Sequence, residues 1–206
     1  MRLGLTGGLA SGKSTVGRWL SDLGYRVVDA DRLVAELYRP GEAGSRKVAE
    51  LFGADYLDAA GAVDRARLAG LVFHDPAARR RLEEAIHPLV RARFAELAAG
   101  SERPAVLEAT LLVEAGYAPD FDAVVSVEAP EAIRLERAIA RGLAPDDARA
   151  RMAAQGDGEA RRRVADHLLH NDQDLAWLRV QFDRLMHALA GVPPREASKP
   201  ATAQLP

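Results

Sequence analysis

Gly7-Gly8-Leu9-Ala10-Ser11-Gly12-Lys13-Ser14-Thr15 fits the pattern G-x-x-x-x-G-K-[ST], with Gly7 and Gly12 as its framing glycines. The apolar run Leu3 to Leu5 before it reads as a strand. After it, Val16, Trp19, Leu20 and Leu23 recur at helical spacing. Strand, glycine loop and helix in that order make a phosphate cradle. Glycines let the backbone curl so that successive N–H groups face inward, and the new helix adds its positive end. Residues Gly8 through Thr15 are therefore expected to bind a nucleoside triphosphate. Lys13 reaches the β- and γ-phosphates, and the Ser14 hydroxyl ligates Mg²⁺.

Working outward, a second apolar run, Tyr25-Arg26-Val27-Val28, ends in Asp29-Ala30-Asp31. Two more runs read as buried parallel strands, Ala105-Val106-Leu107 and Ala123-Val124-Val125-Ser126-Val127, and His167-Leu168-Leu169 is a weaker fifth. Helical patterns separate them. The expected fold is α/β: a P-loop nucleoside-triphosphate hydrolase-like core with about five parallel strands flanked by helices. Ligands bind at the carboxyl edge of such sheets, where Asp29 and Asp31 fall. One carboxylate then deprotonates an acceptor hydroxyl while the other, Asp29, helps organise Mg²⁺ through water. A helix N-cap is the alternative role for Asp31.

The segment 32–100 is longer than a crossover requires and mostly helical, which makes it the expected acceptor-binding insert. Within it Leu82, Ile86, Val90, Phe94 and Leu97 form an apolar stripe, which Pro88 is expected to kink or split at His87. Residues 130–163 are arginine-rich. Arg134, Arg137 and Arg141 share one helix face. Most of these arginines are expected to be solvated, with Arg137 or Arg141 supplying charge to the transferring phosphoryl group. The core takes 1–31, 101–129 and 164–190, giving one domain over 1–190. A final amphipathic helix carries Leu175, Leu178, Phe182, Leu185 and Leu189, and the tail 191–206 is expected to be disordered.

The totals restrict the function classes. A chain of 206 residues suits one well-buried core. A formal net charge of −2 gives no pull toward nucleic acid or membrane, and no run approaches the ~20 apolar residues of a membrane span. Without cysteine there is no thiolate chemistry or disulfide. Lys13 interrupts the signal-like apolar start, so a cytoplasmic protein is expected. His167 and His170 lack the glutamate of a zinc-protease helix, and no N-K-x-D is present to read guanine.

Beyond the phosphate loop, a series of motifs resembles the dephospho-CoA kinase family along nearly the whole chain to about Leu189. Thr6-Gly7-Gly8 and Val28-Asp29-Ala30-Asp31 look like its first blocks. Phe52-Gly53, Gly61-Ala62-Val63-Asp64-Arg65, Leu82-Glu83 and His87-Pro88-Leu89-Val90-Arg91 follow in order, then Leu111-Leu112-Val113-Glu114, Arg137, Arg141, Gln155, Ala165-Asp166 and Asn171. The resemblance implies transfer of the γ-phosphoryl of ATP, with Mg²⁺, to the ribose 3′-hydroxyl of dephospho-CoA. It makes Asp31 the base, with Lys13, Arg137 and Arg141 as catalytic cations, and puts Asn171 near adenine. Thr6, Asp31, His87 and Arg91 would meet the acceptor, in a monomer or small homo-oligomer. Other small-molecule kinases, or a nucleotide switch, are the alternatives. Two positions depart from the family pattern. Ala10 stands where a glycine is usual, tolerable if its φ is negative. Thr110 stands where proline is usual.

Overall fold

The structure, a computed structural model, describes residues 1–113 and 115–191, so most of the tail and Glu114 lie outside the described residues. The described strands are β1 (Arg2–Thr6), β2 (Arg26–Asp29), β3 (Ala105–Glu108), β4 (Ala123–Glu128) and β5 (His167–His170). They form one sheet in the order β2-β3-β1-β4-β5. β1 runs parallel to both β3 and β4, and β4 runs parallel to β5. The register sets Leu5 against Glu108 on one side and Thr6 against Ser126 on the other. The carboxyl ends of these central strands therefore gather at one edge, and the chain leaves β1 there into the glycine loop.

The chain divides into two compact units, Met1–Val27 with the chain from Arg103 onward, and Val28–Glu102. In the first, α1 (Lys13–Asp22) and α9 (Leu175–Leu189) cover the sheet. Leu3, Leu5, Val16, Leu20, Val106, Val125, Val127, Leu178, Phe182, Leu185 and Leu189 bury into one core. The Trp19 and Phe182 rings meet at 5.3 Å between centroids. Each fully buried aliphatic or aromatic side chain adds about 1.5–3 kcal/mol, so α1 is anchored behind the loop it terminates. Leu175, the first residue of the expected apolar stripe of α9, is instead exposed. The arginine-rich segment contributes α6 (Glu131–Ala140), α7 (Pro145–Ala154) and α8 (Glu159–Val164).

The second unit holds α2 (Ala30–Leu37), α3 (Ala43–Phe52), α4 (Arg65–His74) and α5 (Pro76–Ala99). Aspartates start three of these helices. Asp29, Asp64 and Asp75 each accept two backbone N–H bonds from the first turn that follows. The N-cap of α2 is thus Asp29 rather than Asp31. Pro88 does not split its helix. α5 runs unbroken through it, because Ile86, Val90 and Phe94 bury on one side while Pro88 itself is exposed. Packing of that stripe outweighs the backbone hydrogen bond that proline cannot donate.

Candidate functional site

The glycine loop occupies Gly7 to Gly12, and α1 begins at Lys13. Gly12 has φ 111°, and a Cβ there would collide with the Asn171 side-chain amide. Only glycine fits both demands. The Lys13 amine folds over the loop, with Nζ donating to the carbonyl of Gly7 at 2.9 Å and of Gly8 at 3.4 Å. Ala10 to Thr15 line one pocket together with Arg141.

Residues far apart in sequence hold this loop. Asn171 is buried, and its Nδ2 donates to the Ser11 carbonyl at 2.7 Å. Arg137 donates from Nη1 to the Asn171 carbonyl at 3.0 Å and from Nη2 to its Oδ1 at 3.3 Å. Arg137 is thereby fixed to the loop through Asn171, and the Asn171 amide is engaged at both its ends. The Leu9 N–H donates to Gln155 Oε1 at 2.8 Å. Thr6 is fully buried, its hydroxyl donating to the Thr110 carbonyl at 3.2 Å.

Ser14 Oγ donates to Glu108 Oε1 at 3.0 Å. Glu108, the last residue of β3, was not singled out from the sequence. Its signal was a lone acid ending an apolar run, legible only once β3 is known to lie beside β1. The pair offers two hard oxygens next to the loop. Mg²⁺ usually takes one or two carboxylates together with substrate phosphates and water, so this donor set fits it. Among the described residues no cluster of three or more His, Asp or Glu side chains forms a cage of its own.

Ala10 departs from expectation. Its φ is +57°, the only non-glycine residue with positive φ among the described residues. Its methyl is buried with Ala138, Ala148 and Met152, and Leu9, Leu135 and Leu143 pack against them. The left-handed backbone costs about 1–2 kcal/mol. Burying the methyl returns roughly 0.8 kcal/mol, and alanine narrows the unfolded chain by about 0.4–1 kcal/mol relative to glycine. These terms nearly cancel. Ala10→Gly should therefore change unfolding free energy in urea by less than about 1 kcal/mol. Ala10→Val, β-branched at positive φ in a packed cluster, should lose at least about 2 kcal/mol. Equal stability of the two variants would contradict this account.

Most of the arginines in 130–163 are exposed, as expected, but two are buried. Arg134 is 8% exposed and Arg161 1%, whereas Arg141 is exposed. The apolar cluster of α6 and α7 against Ala10 pulls this part of α6 onto the loop, so Arg134 on its inner face cannot reach solvent.

In the second unit, Asp31 lies in the first turn of α2 and is exposed. Asp29 Oδ1 accepts the Asp31 N–H at 2.8 Å and the Arg32 N–H at 3.3 Å. That oxygen is occupied in capping, which bears on any additional role for Asp29 toward Mg²⁺. His87 is half-buried and Arg91 exposed, one helical turn apart on α5. Burial lowers the His87 imidazole pKa below its ordinary value, and nearby Glu83 opposes the shift. Asp58 closes a turn, accepting from the N–H groups of Ala60 and Ala62.

Residues 1–176 match the family model for dephospho-CoA kinase. The chain is 47% identical over 174 residues to a dephospho-CoA kinase of Synechococcus sp. (strain CC9605), covering 82% of this chain and 84% of that protein. A dephospho-CoA kinase of Streptomyces avermitilis is 43% identical over 178 residues, covering 85% and 87%. Among solved structures, TT1252 from Thermus thermophilus aligns with a TM-score of 0.79 and 34% identity, covering 93% of this chain and 98% of that one.

Proposed function

The chain belongs to the dephospho-CoA kinase family, and from that premise we propose how its own residues carry out the reaction. The enzyme transfers the γ-phosphoryl group of ATP to dephospho-CoA, giving coenzyme A and ADP. The observation that carries the residue assignment is the loop itself. It curls under Lys13, with Ser14 and Glu108 paired beside it.

We assign the nucleotide to Gly8 through Thr15. The loop and the start of α1 present backbone N–H groups to the phosphates, and Lys13 moves from the Gly7 and Gly8 carbonyls onto the β- and γ-phosphates. Ser14 and Glu108 would hold Mg²⁺, which when bound draws charge off the phosphate oxygens. Arg137 and Arg141 balance charge on the transferring group. Asn171 acts through the loop and Arg137, which its side chain joins; a contact with adenine remains part of the family expectation. Asp31 accepts the proton of the acceptor 3′-hydroxyl as that oxygen bonds to phosphorus, and the bond from phosphorus to the β-phosphate oxygen breaks to release ADP. His87 and Arg91 take the acceptor side. Thr6, being buried, supports the loop from beneath. The divisions of this scheme are a nucleotide core, an acceptor-binding insert over 32–100 and a lid over 130–163.

Among the described residues no helix is long and apolar enough to cross a membrane. We place the enzyme in the cytoplasm, as a monomer or small homo-oligomer without a nucleic-acid partner. A formal net charge of −2 supports the last point.

The test is ADP release from Mg·ATP with dephospho-CoA, set beside AMP, CMP, adenosine, gluconate and no acceptor, with products identified by mass. Turnover should require dephospho-CoA and yield coenzyme A. Preference for another acceptor, or equal release with none, would overturn the assignment.

A further inference from the structure

We propose that Arg134 is a third lid arginine of this active site, donating its Nη1 group to the γ-phosphoryl oxygens of ATP. The inference rests on the nucleotide placement above. Arg134 enters the site from α6 and is 8% exposed. Its Nε–H donates to the Ala129 carbonyl at 3.1 Å, which fixes the guanidinium in place. Nη1 is buried and has no hydrogen-bond partner among the described residues. It lies against the glycine loop, where a Cβ at Gly8 would collide with it.

The neighbouring charges do not satisfy it. Glu128 is the acid at the end of β4, and it is already taken. The Ser126 hydroxyl donates to Glu128 Oε1 at 2.6 Å. Arg161 Nε lies 4.0 Å from Oε1, and Arg162 Nη1 lies 3.7 Å from Oε2. Arg161 also donates to the Gln155 carbonyl at 3.1 Å. Arg134 has no carboxylate within ion-pair distance among the described residues. A guanidinium cannot shed its proton to escape burial, so an uncompensated one is strongly unfavourable. An arriving anion removes that cost, and a phosphoryl oxygen matches the planar donor geometry of arginine.

The position along the loop identifies which phosphate it meets. Backbone groups around Gly12 to Thr15 receive the α- and β-phosphates, while the loop lysine addresses the β–γ end. Here Lys13 Nζ lies 3.4 Å from the Gly8 carbonyl oxygen. Arg134 therefore touches the same glycine as the lysine amine. Two cations converge on Gly8, and the group that separates and satisfies both is the terminal phosphoryl. A donor held there before substrate arrives needs no reorganisation during transfer.

Binding of Mg·AMP-PNP and Mg·ADP, measured by calorimetry without acceptor, separates this role from a packing role. Arg134→Gln should weaken AMP-PNP roughly ten-fold, the loss of one charge-assisted hydrogen bond, and leave ADP within about two-fold. The value of kcat with dephospho-CoA should fall as well. Equal weakening of both nucleotides, or of neither, overturns the proposal. If the glutamine variant does not unfold cooperatively, Arg134→Met is measured by the same criterion, since it keeps the apolar stem and removes the charge. The binding comparison needs no acceptor. Failure of the wild-type enzyme on dephospho-CoA would therefore sink the functional assignment alone, and loss of nucleotide discrimination would be judged separately.

Discussion

Lys13→Ala should lower kcat/KM for ATP by about a thousand-fold while the protein stays folded. The amine spans the loop to the Gly7 and Gly8 carbonyls, so it already stands within the cradle. Removing one preorganised electrostatic donor from such a site typically costs about 2.7–4 kcal/mol of transition-state stabilisation, or 10²–10³ in rate. The same cation also contributes to binding the β-phosphate before transfer, so the loss in kcat/KM falls at the upper end of that range. Structural damage is not expected to mimic this. Lys13 is the first residue of α1, where alanine is a better helix former, and Val16 and Leu20 hold the helix in the core. Steady-state kinetics with a thermal melt decide the matter. A variant that keeps a tenth of wild-type activity, or one whose melting point collapses, would remove Lys13 from its assigned role.

Much of the loop was legible because its chemistry is local. Gly7 to Thr15 specify a curl, a helix start and a cation within nine consecutive residues, and the structure folds them that way. The strands were legible for the same reason: five short apolar runs separated by helical patterns became a five-stranded sheet. What could not be read depends on partners distant in sequence. Glu108 acquires meaning only when β3 lies against β1, which brings its carboxylate to Ser14 across 94 positions. Spacing put Arg134, Arg137 and Arg141 on one helix face but could not tell which of them is buried. That depends on Ala138, Ala148 and Met152 packing against Ala10. The condition set for Ala10, a negative φ, is likewise not met, for a reason its own residue type does not show. Its φ of +57° goes with a position in the glycine loop packed against Ala138, Ala148 and Met152, and not with its own preference. Pro88 shows the converse: the split it suggests at His87 does not occur, because the buried stripe of α5 carries the helix through.

The second large effect belongs to Asp31. Asp31→Asn should leave Mg·ADP affinity unchanged and lower kcat by about a hundred-fold or more, the scale set by a general base. The swap is nearly isosteric and keeps hydrogen-bonding ability, so the acceptor should still be recognised, with KM for dephospho-CoA within a few-fold. What asparagine cannot do is take the hydroxyl proton as the oxygen attacks phosphorus. The capping geometry makes this substitution interpretable. Asp29, and not Asp31, starts α2, so the Asp31 side chain is not required to satisfy the helix N-terminus. Losing a negative charge in the first turn costs only about 0.3–1 kcal/mol, which leaves the unit folded. Asp29→Ala is the matching control. It should lower stability by about 1 kcal/mol through loss of the cap, a quantity that a melt resolves. If Asp31→Asn turned over at the wild-type rate, proton removal would have to be assigned elsewhere. If it lost ADP affinity together with kcat, Asp31 would be a structural support of the nucleotide site. A fall in kcat alone is the signature of a base, because it appears only when the acceptor oxygen has a proton to lose.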